Sequence, residues 1–160
     1  MIISTREEPT QRDEVIALGI SQVSADSCTG VGGYASENKL AHPDDKPQFE
    51  VGDHRTSIEI IKSLCKTGYI PSYCTACYRE GRTGDRFMQL AKAGEIHNVC
   101  LRNALLTLKE YLLDYGDEET REIGNETIER SLLDIPNEKA REAVRTKLDK
   151  IGQGARDLRF

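Results

Sequence analysis

Cys74-Thr75-Ala76-Cys77, followed after 22 residues by Cys100, constrains this chain more than any other stretch. Two thiols two residues apart can grip one metal centre from a tight turn. A third thiol closes on that centre only if the intervening chain folds back. Thiolates bind soft metals and iron–sulfur clusters well. Arg79, Arg82 and Arg86 follow the pair, which predicts a positive local field that favours thiolate. The polar, glycine-bearing run Arg79-Glu80-Gly81-Arg82-Thr83-Gly84 reads as loop, whose backbone amides can approach a cluster sulfide.

Several readings share this spacing. Ordinary reduced cysteines are one. Structural zinc is another: His97 precedes Cys100 by three residues, so Cys74, Cys77, His97 and Cys100 make a Cys₃His set. An iron–sulfur cluster held by the three thiols is the third, and spacing alone places it level with zinc. A disulfide is not expected. Met1 is followed by only two isoleucines before polar residues, which is no export signal. Five cysteines without an export signal read as a reduced, cytoplasmic protein. No apolar run approaches a membrane span. A net charge of −5, with the basic residues dispersed, argues against a nucleic-acid binder.

The front of the chain has a different character. Met1-Ile2-Ile3-Ser4 reads as a short buried strand. Pro9 suits the start of a helix with Val15, Ile16 and Leu18 on its apolar face and Gly19 as its stop. Ile20-Ser21-Gln22-Val23-Ser24 reads as a second strand. Strand, helix and strand predict a right-handed βαβ unit. Two parallel strands do not make a stable sheet alone, so residues 1–53 read as the end of a larger α/β structure. Arg6 leaves the first strand and Ser24 and Ser27 leave the second. A guanidinium at a strand end can hold a carboxylate bidentately, although the sequence alone favours a surface pair with Glu7 or Glu8. Residues 29–53 read as loop, with Gly30, Gly32, Gly33, Pro43 and Pro47 breaking any helix. His42 and His54 are read as surface residues, and Cys28 as a bystander.

Residues 54–160 read as mostly helical. Thr56-Ser57-Ile58-Glu59 is a capping box. Ile58, Ile61, Leu64 and Cys65 follow at helical spacing, which makes Cys65 a core residue. Pro71 keeps the approach to Cys74 extended. Asp85 is expected to cap a helix whose core face is Phe87, Leu90 and Ala91 and whose stop is Gly94. Three amphipathic helices follow: Ala104 to Leu112 ending near Gly116, Ile123 to Ile135 before Pro136, and Ala140 to Ile151 ending at Gly152.

From Tyr69 to Arg79, and with Cys100, the chain resembles the C-terminal cluster motif of the radical-SAM tyrosine lyases that mature [FeFe]-hydrogenase. Gly81 to Met88, Asn98-Val99-Cys100, Arg156 to Phe160, Ile3 to Glu7 and Thr29 to Tyr34 extend the resemblance over nearly the whole chain. It implies that residues 1–53 are the last βαβ unit of a (β/α)₈ barrel, where chemistry sits at the C-terminal ends of strands. It implies that residues 54–160 are an auxiliary-cluster domain. Cys74, Cys77 and Cys100 would hold a 4Fe-4S cubane with one iron open to an additional iron. Arg6 would meet the carboxylate of tyrosine, with Ser24 and Ser27 as hydrogen-bond donors to substrate. The chain would then be the C-terminal fragment of an enzyme that makes carbon monoxide and cyanide for H-cluster assembly, working with other hydrogenase maturation proteins. S-adenosylmethionine and a second 4Fe-4S cluster belong to the N-terminal barrel portion, because no C-x₃-C-x₂-C loop stands in these 160 residues. Without that loop the 160 residues are expected not to cleave tyrosine by themselves. The related tyrosine lyase of thiamine synthesis lacks the C-terminal cluster motif, so Cys74, Cys77 and Cys100 separate the two. The alternative from another class is a free-standing zinc module that binds a partner without catalysis.

Overall fold

A computed structural model describes residues 2–30 and 49–160. His42, Gly32, Gly33, Pro43, Pro47 and most of the expected loop lie outside the described residues. The chain divides into two compact units, Met1–Ile60 and Ile61–Phe160.

In the first unit, β1 (Ile2–Ile3) pairs in parallel with β2 (Gln22–Val23), and α1 (Pro9–Ala17) connects them. The expected strand, helix and parallel strand are therefore present. Ser24 N donates to Ile3 O at 3.0 Å, which extends the pairing past β2. Two expectations need correction. Ile3 is buried but Ile2 is 66% exposed, because successive strand residues face opposite ways and only one face is covered in this unit. Leu18 is 86% exposed because it is the cap of α1 and has left the helical face that carries Ile16.

The buried side of α1 also carries Arg12, which periodicity did not mark. Its guanidinium is 1% exposed and pairs with Asp53, itself fully buried, and with the carbonyl of Ser24. Asp53 also accepts from Arg55 N at 2.9 Å and from Arg55 Nη2 at 2.8 Å. Arg55 reaches on to Asp13 at 3.0 Å. Burial pushes the Asp53 carboxyl up, but the bonds from Arg55 and Arg12 outweigh it and hold the group at about 2. Thr5 O accepts from Gly52 N at 2.9 Å and Asp53 N at 3.0 Å. Gly52 is required there, since a Cβ would land on the carbonyl of Arg6.

α2 (Ser57–Lys66) runs from the first unit into the second and starts on the expected capping box: Thr56 N donates to Glu59 Oε2 at 2.7 Å, and Glu59 N to Thr56 Oγ1 at 3.3 Å. The second unit is helical. α3 (Ala76–Arg79) is a single turn, and α4 (Gly84–Lys92) follows it. Thr83, not Asp85, occupies the cap of α4, and Asp85 stands in its first turn. No α4 residue is fully buried, so its expected core face of Phe87, Leu90 and Ala91 lacks full cover among the described residues. α5 (Ile96–Tyr115) begins well before the expected Ala104, which places Cys100 inside it. Nothing between Gly94 and Gly116 interrupts a helix, so it extends to both glycines.

α6 (Glu118–Leu132) and α7 (Glu138–Gly152) pack on α5. Both have the local caps that start helices well: Asp117 accepts from Thr120 N at 2.7 Å and Asn137 from Ala140 N at 3.0 Å. Leu105, Leu106, Leu108 and Leu112 meet Ile128, Leu132, Val144, Leu148 and Ile151 in one apolar core. Gly124 lets α6 approach α5, because a Cβ there would land on the Leu112 side chain. Cys65 is 2% exposed in the same core, as its helical spacing predicts. Burial pushes its thiol up to about 11, which keeps it protonated and unreactive.

Candidate metal centre

α5 is the platform on which the cysteine segment is built. Cys100, Asn103, Thr107, Glu110 and Asp114 recur every three or four residues along it and so share one side, with Tyr111 one turn after Thr107. The segment before Cys74 docks on that side. Ile70 packs against the core, Ser72 Oγ meets Thr107 Oγ1 at 2.9 Å, and Tyr73 stacks on Tyr111 at 5.4 Å between ring centroids. Ser72 Oγ then accepts from Cys74 N at 3.2 Å, so the same hydroxyl orients the first ligand.

Beyond Cys74 the chain turns through α3, anchored by buried Ala76, which carries Cys77. Arg82 N donates to Cys77 O at 2.8 Å and closes the turn. Cys74 and Cys100 are exposed and Cys77 is half-buried, in contrast to Cys65. The Cys100 thiol is pushed up, first by burial and then by its neighbours Cys77 and Cys74, while Arg82 pulls it down. The three predicted cysteines thus stand on α3, on its approach segment and on α5.

The expected field of three arginines is weaker than the sequence suggests. Arg79 pairs with Asp157, and Arg86 Nη1 reaches Glu80 O at 3.4 Å. Arg82 alone acts on Cys100, and its Nη2 donates to Phe160 O at 2.6 Å. Its buried Nε finds no acceptor among the described residues. A buried guanidinium N–H without a partner, on a side chain that acts on Cys100, suits an added anionic group such as a sulfide-bearing cluster.

No three of the described His, Cys, Asp and Glu side chains are arranged to hold a single ion. His97 is exposed and lines a separate cleft of about 430 Å³ with Asn98, Leu101, Asp134 and Asn137. None of the three cysteines lines the cleft that His97 shares.

The other expected site residues lie in the first unit. Arg6 and Ser24 follow the paired strands β1 and β2 and so leave the same end of the sheet. Arg6 is exposed, with its guanidinium 4.4 Å from the centre of the Phe49 ring. Ser24 is engaged through its backbone, accepting from Arg12 and donating to Ile3. Ser27 is half-buried in the segment after β2, and Cys28 follows it. His54 is exposed, as expected.

Sequence reasoning missed the C-terminal segment. Asp157 accepts from Arg79 and its N donates to Glu110 Oε1 at 2.8 Å. Arg159 pairs with Glu80 at 2.7 Å, and Phe160 N donates to Asn103 Oδ1 at 2.9 Å. The signal available in the sequence was the polar stripe Asn103, Thr107, Glu110 and Asp114 at helical spacing after Cys100.

Comparison with known proteins gives a consistent setting. The Biotin and Thiamin Synthesis associated domain matches residues 1–70. The 2-iminoacetate synthase of Salmonella typhimurium is 42% identical over 69 residues, which are 43% of this chain and 17% of that protein. The crystal structure of HydG, a maturase of the [FeFe]-hydrogenase, matches the whole chain at 58% identity with a TM-score of 0.90. The chain spans about a third (34%) of that structure's length. It resembles the C-terminal region of HydG in both sequence and fold. No helix among the described residues is long and apolar enough to cross a membrane.

Proposed function

We propose that this chain is the C-terminal part of a radical-SAM tyrosine lyase of hydrogenase maturation, and that Cys74, Cys77 and Cys100 hold its auxiliary iron–sulfur cluster. The convergence of the three thiols on the α5 platform carries this reading. Full-length likeness to HydG supports it, whereas the likeness to 2-iminoacetate synthase spans less than half of the chain. A bound 4Fe-4S cluster with one iron open would supply the site on which an additional iron collects carbon monoxide and cyanide.

The chain's own residues have distinct tasks in this reading. Cys74, Cys77 and Cys100 bind three corners and leave the fourth without a protein ligand from this segment. Ser72 orients Cys74 through its backbone N–H. Arg82 favours the charged form of Cys100 and keeps a buried N–H without a partner among the described residues. Residues 1–53 supply the last βαβ unit of the barrel. There Arg6 binds the tyrosine carboxylate, and Ser24 and Ser27 hydrogen-bond to substrate. The buried Arg12 fixes the Ser24 carbonyl and so holds that strand end in place. S-adenosylmethionine, its cluster and the rest of the barrel come from the N-terminal portion, and the whole works in the cytoplasm beside other maturation proteins.

Anaerobic reconstitution tests the assignment. The chain should take up iron and sulfide and turn brown, with broad absorption near ~400 nm from thiolate-to-iron charge transfer. Replacing Cys74, Cys77 or Cys100 by Ser should sharply reduce iron per chain, whereas Cys65→Ala, Cys28→Ser and His97→Ala should not. Equal iron loss from Cys65→Ala and Cys100→Ser would overturn the assignment. Zinc in a colourless protein, lost on His97→Ala, would replace it by the zinc module.

A further inference from the structure

The last residues of the chain have no task in the chemistry described above, yet the second unit builds an extensive site for them. Asp157 stands at a φ of 62°, in the left-handed region that L-residues other than Asn and Asp rarely adopt. Contacts on two sides hold it there: its N–H donates to Glu110, and its carboxylate takes Arg79 of the cysteine turn. Leu158 packs against the apolar core. Arg159 then crosses to Glu80 at 2.7 Å, one residue beyond α3. Phe160 ends against the same core, with Lys147 Nζ 3.7 Å and Arg102 5.3 Å from its ring centre.

Phe160 is where the two ligand-bearing segments meet. Its backbone oxygen accepts from Arg82, which closes the Cys77 turn, and its N–H donates to Asn103, one turn after Cys100. Asn103 is 2% exposed, and its Nδ2 also binds Val99 O at 3.0 Å, so it is a fixed reference point on α5. Asp157 and Leu158 line a cavity of about 30 Å³ together with Cys74, Thr107 and Glu110. The tail thus touches the cysteine turn at Arg79, Glu80 and Arg82 and the α5 platform at Asn103 and Glu110.

We propose that Asp157–Phe160 is a strap that sets the separation of Cys74 and Cys77 from Cys100, with Arg159 and Phe160 as positioning residues for the cluster. The inference rests on the reading of these three cysteines as cluster ligands. The strap ties the α3 turn, itself only one helical turn long, to the rigid α5. Without it the turn is held to α5 mainly from its N-terminal side, by Ser72 and Tyr73.

The test uses the whole 160-residue chain, the double variant Asp157→Asn with Arg159→Gln, the single variant Phe160→Ala and the conservative Arg159→Lys. Amide exchange in the metal-free chain is read at residues 74–82 and at α5–α7. Iron release to a chelator is read after anaerobic reconstitution. Loss of a supporting contact around a metal site costs about tenfold or more in retention. The double variant should therefore lose iron about tenfold faster, with faster exchange at 74–82 and unchanged exchange in α5–α7, whereas Phe160→Ala, which keeps the backbone bonds to Arg82 and Asn103, and Arg159→Lys should stay near the parent in iron release and at 74–82. Parent-like iron release and exchange in the double variant would overturn the strap while leaving the cluster assignment intact. Exchange that rises equally through α5–α7 would also overturn it, because the tail would then be a general stability element. A parent chain that takes up neither iron nor sulfide overturns the cluster reading itself, and the strap's role with it.

Discussion

In the first unit a guanidinium and a carboxylate lie inside the fold, Arg12 at 1% and Asp53 at 0% exposure. In the second unit the charged pairs lie at the rim of an apolar core: Arg79 with Asp157, Arg159 with Glu80, Arg156 with Asp114. The apolar inventories run the other way. Among the described residues, the first unit buries only Ile3, Ile16 and Ile60, whereas the second gathers a core of leucines, isoleucines and Val144. Where hydrophobic burial is scarce, a buried charge pair becomes part of the interior and cannot lose one member cheaply. Where the core is ample, charges at its rim add little to stability and are left to set position. The first arrangement fixes the strand end at Ser24, and the second arranges the cysteine turn.

The largest effect should come from halving the buried pair. Asp53→Ala leaves the Arg12 guanidinium inside the unit with Ser24 O as its remaining partner among the described residues, and should cost about 3–5 kcal/mol. Amide exchange at Ile3 and Ser24 reads this without involving the second unit. Replacing both partners, Arg12→Met with Asp53→Leu, should recover most of the loss, because the desolvated charge is gone. A loss below about 1 kcal/mol for Asp53→Ala would mean that the pair is solvated in solution and would erase the contrast between the units.

Acid sharpens the same point. The folded carboxyl of Asp53 is depressed from 3.8 to about 2. A depressed carboxyl stabilises the fold above its unfolded value and loses that contribution as the pH falls through the folded one. The first unit should therefore hold to about pH 4 and weaken by about 2 kcal/mol between there and pH 2. Exchange or circular dichroism along a pH series checks it, and Asp53→Asn should remove the transition.

The second unit should answer to volume rather than to charge. Gly124→Ala drives a methyl group into Leu112 at the closest approach of α5 and α6. Overpacking of this kind costs about 1–3 kcal/mol, more than the gain in helix propensity from replacing a mid-helix glycine. Urea unfolding of the parent and the variant measures the difference. A stabilised Gly124→Ala would show that the helices move apart freely and that the platform is softer than the core implies.

The contrast also explains what the sequence made legible. Local signals translated directly: the Thr56–Glu59 box, the Asp117 and Asn137 caps, and the Leu105, Leu108 and Leu112 spacing each depend on neighbours within a turn or two. Cys65 was legible in the same way, from its place on the helical stripe of Ile58, Ile61 and Leu64. Arg12 was not, because its partner Asp53 lies 41 residues away and nothing near Arg12 distinguishes it from a surface arginine. The strap was hidden for the same reason, since Arg159 and Glu80 are 79 residues apart. Helix α4 misled in the other direction. Its amphipathic pattern predicted burial, yet a pattern states only that a face seeks cover, not that this chain provides it.

The smallest effect on stability, and the one that separates position from stability most cleanly, belongs to the Glu80–Arg159 pair. The bond from Arg159 holds the Glu80 carboxyl below its usual range, opposed by slight burial, so the pair is present at neutral pH and lost in acid. Both partners are solvated, and exposed pairs lose most of their attraction when salt shortens the screening length to about 3 Å at 1 M. Raising salt from about 0.1 to 1 M should leave the thermal midpoint of the second unit unchanged, since Leu105 and its neighbours carry it. The same salt should speed exchange at residues 74–82 more in the parent than in Arg159→Gln, which keeps only the Arg79–Asp157 pair. The buried Arg12–Asp53 pair should ignore the salt altogether, because water and ions do not reach it. If residues 74–82 are equally indifferent to salt, the rim pairs are as dry as the interior one and position is set by packing alone.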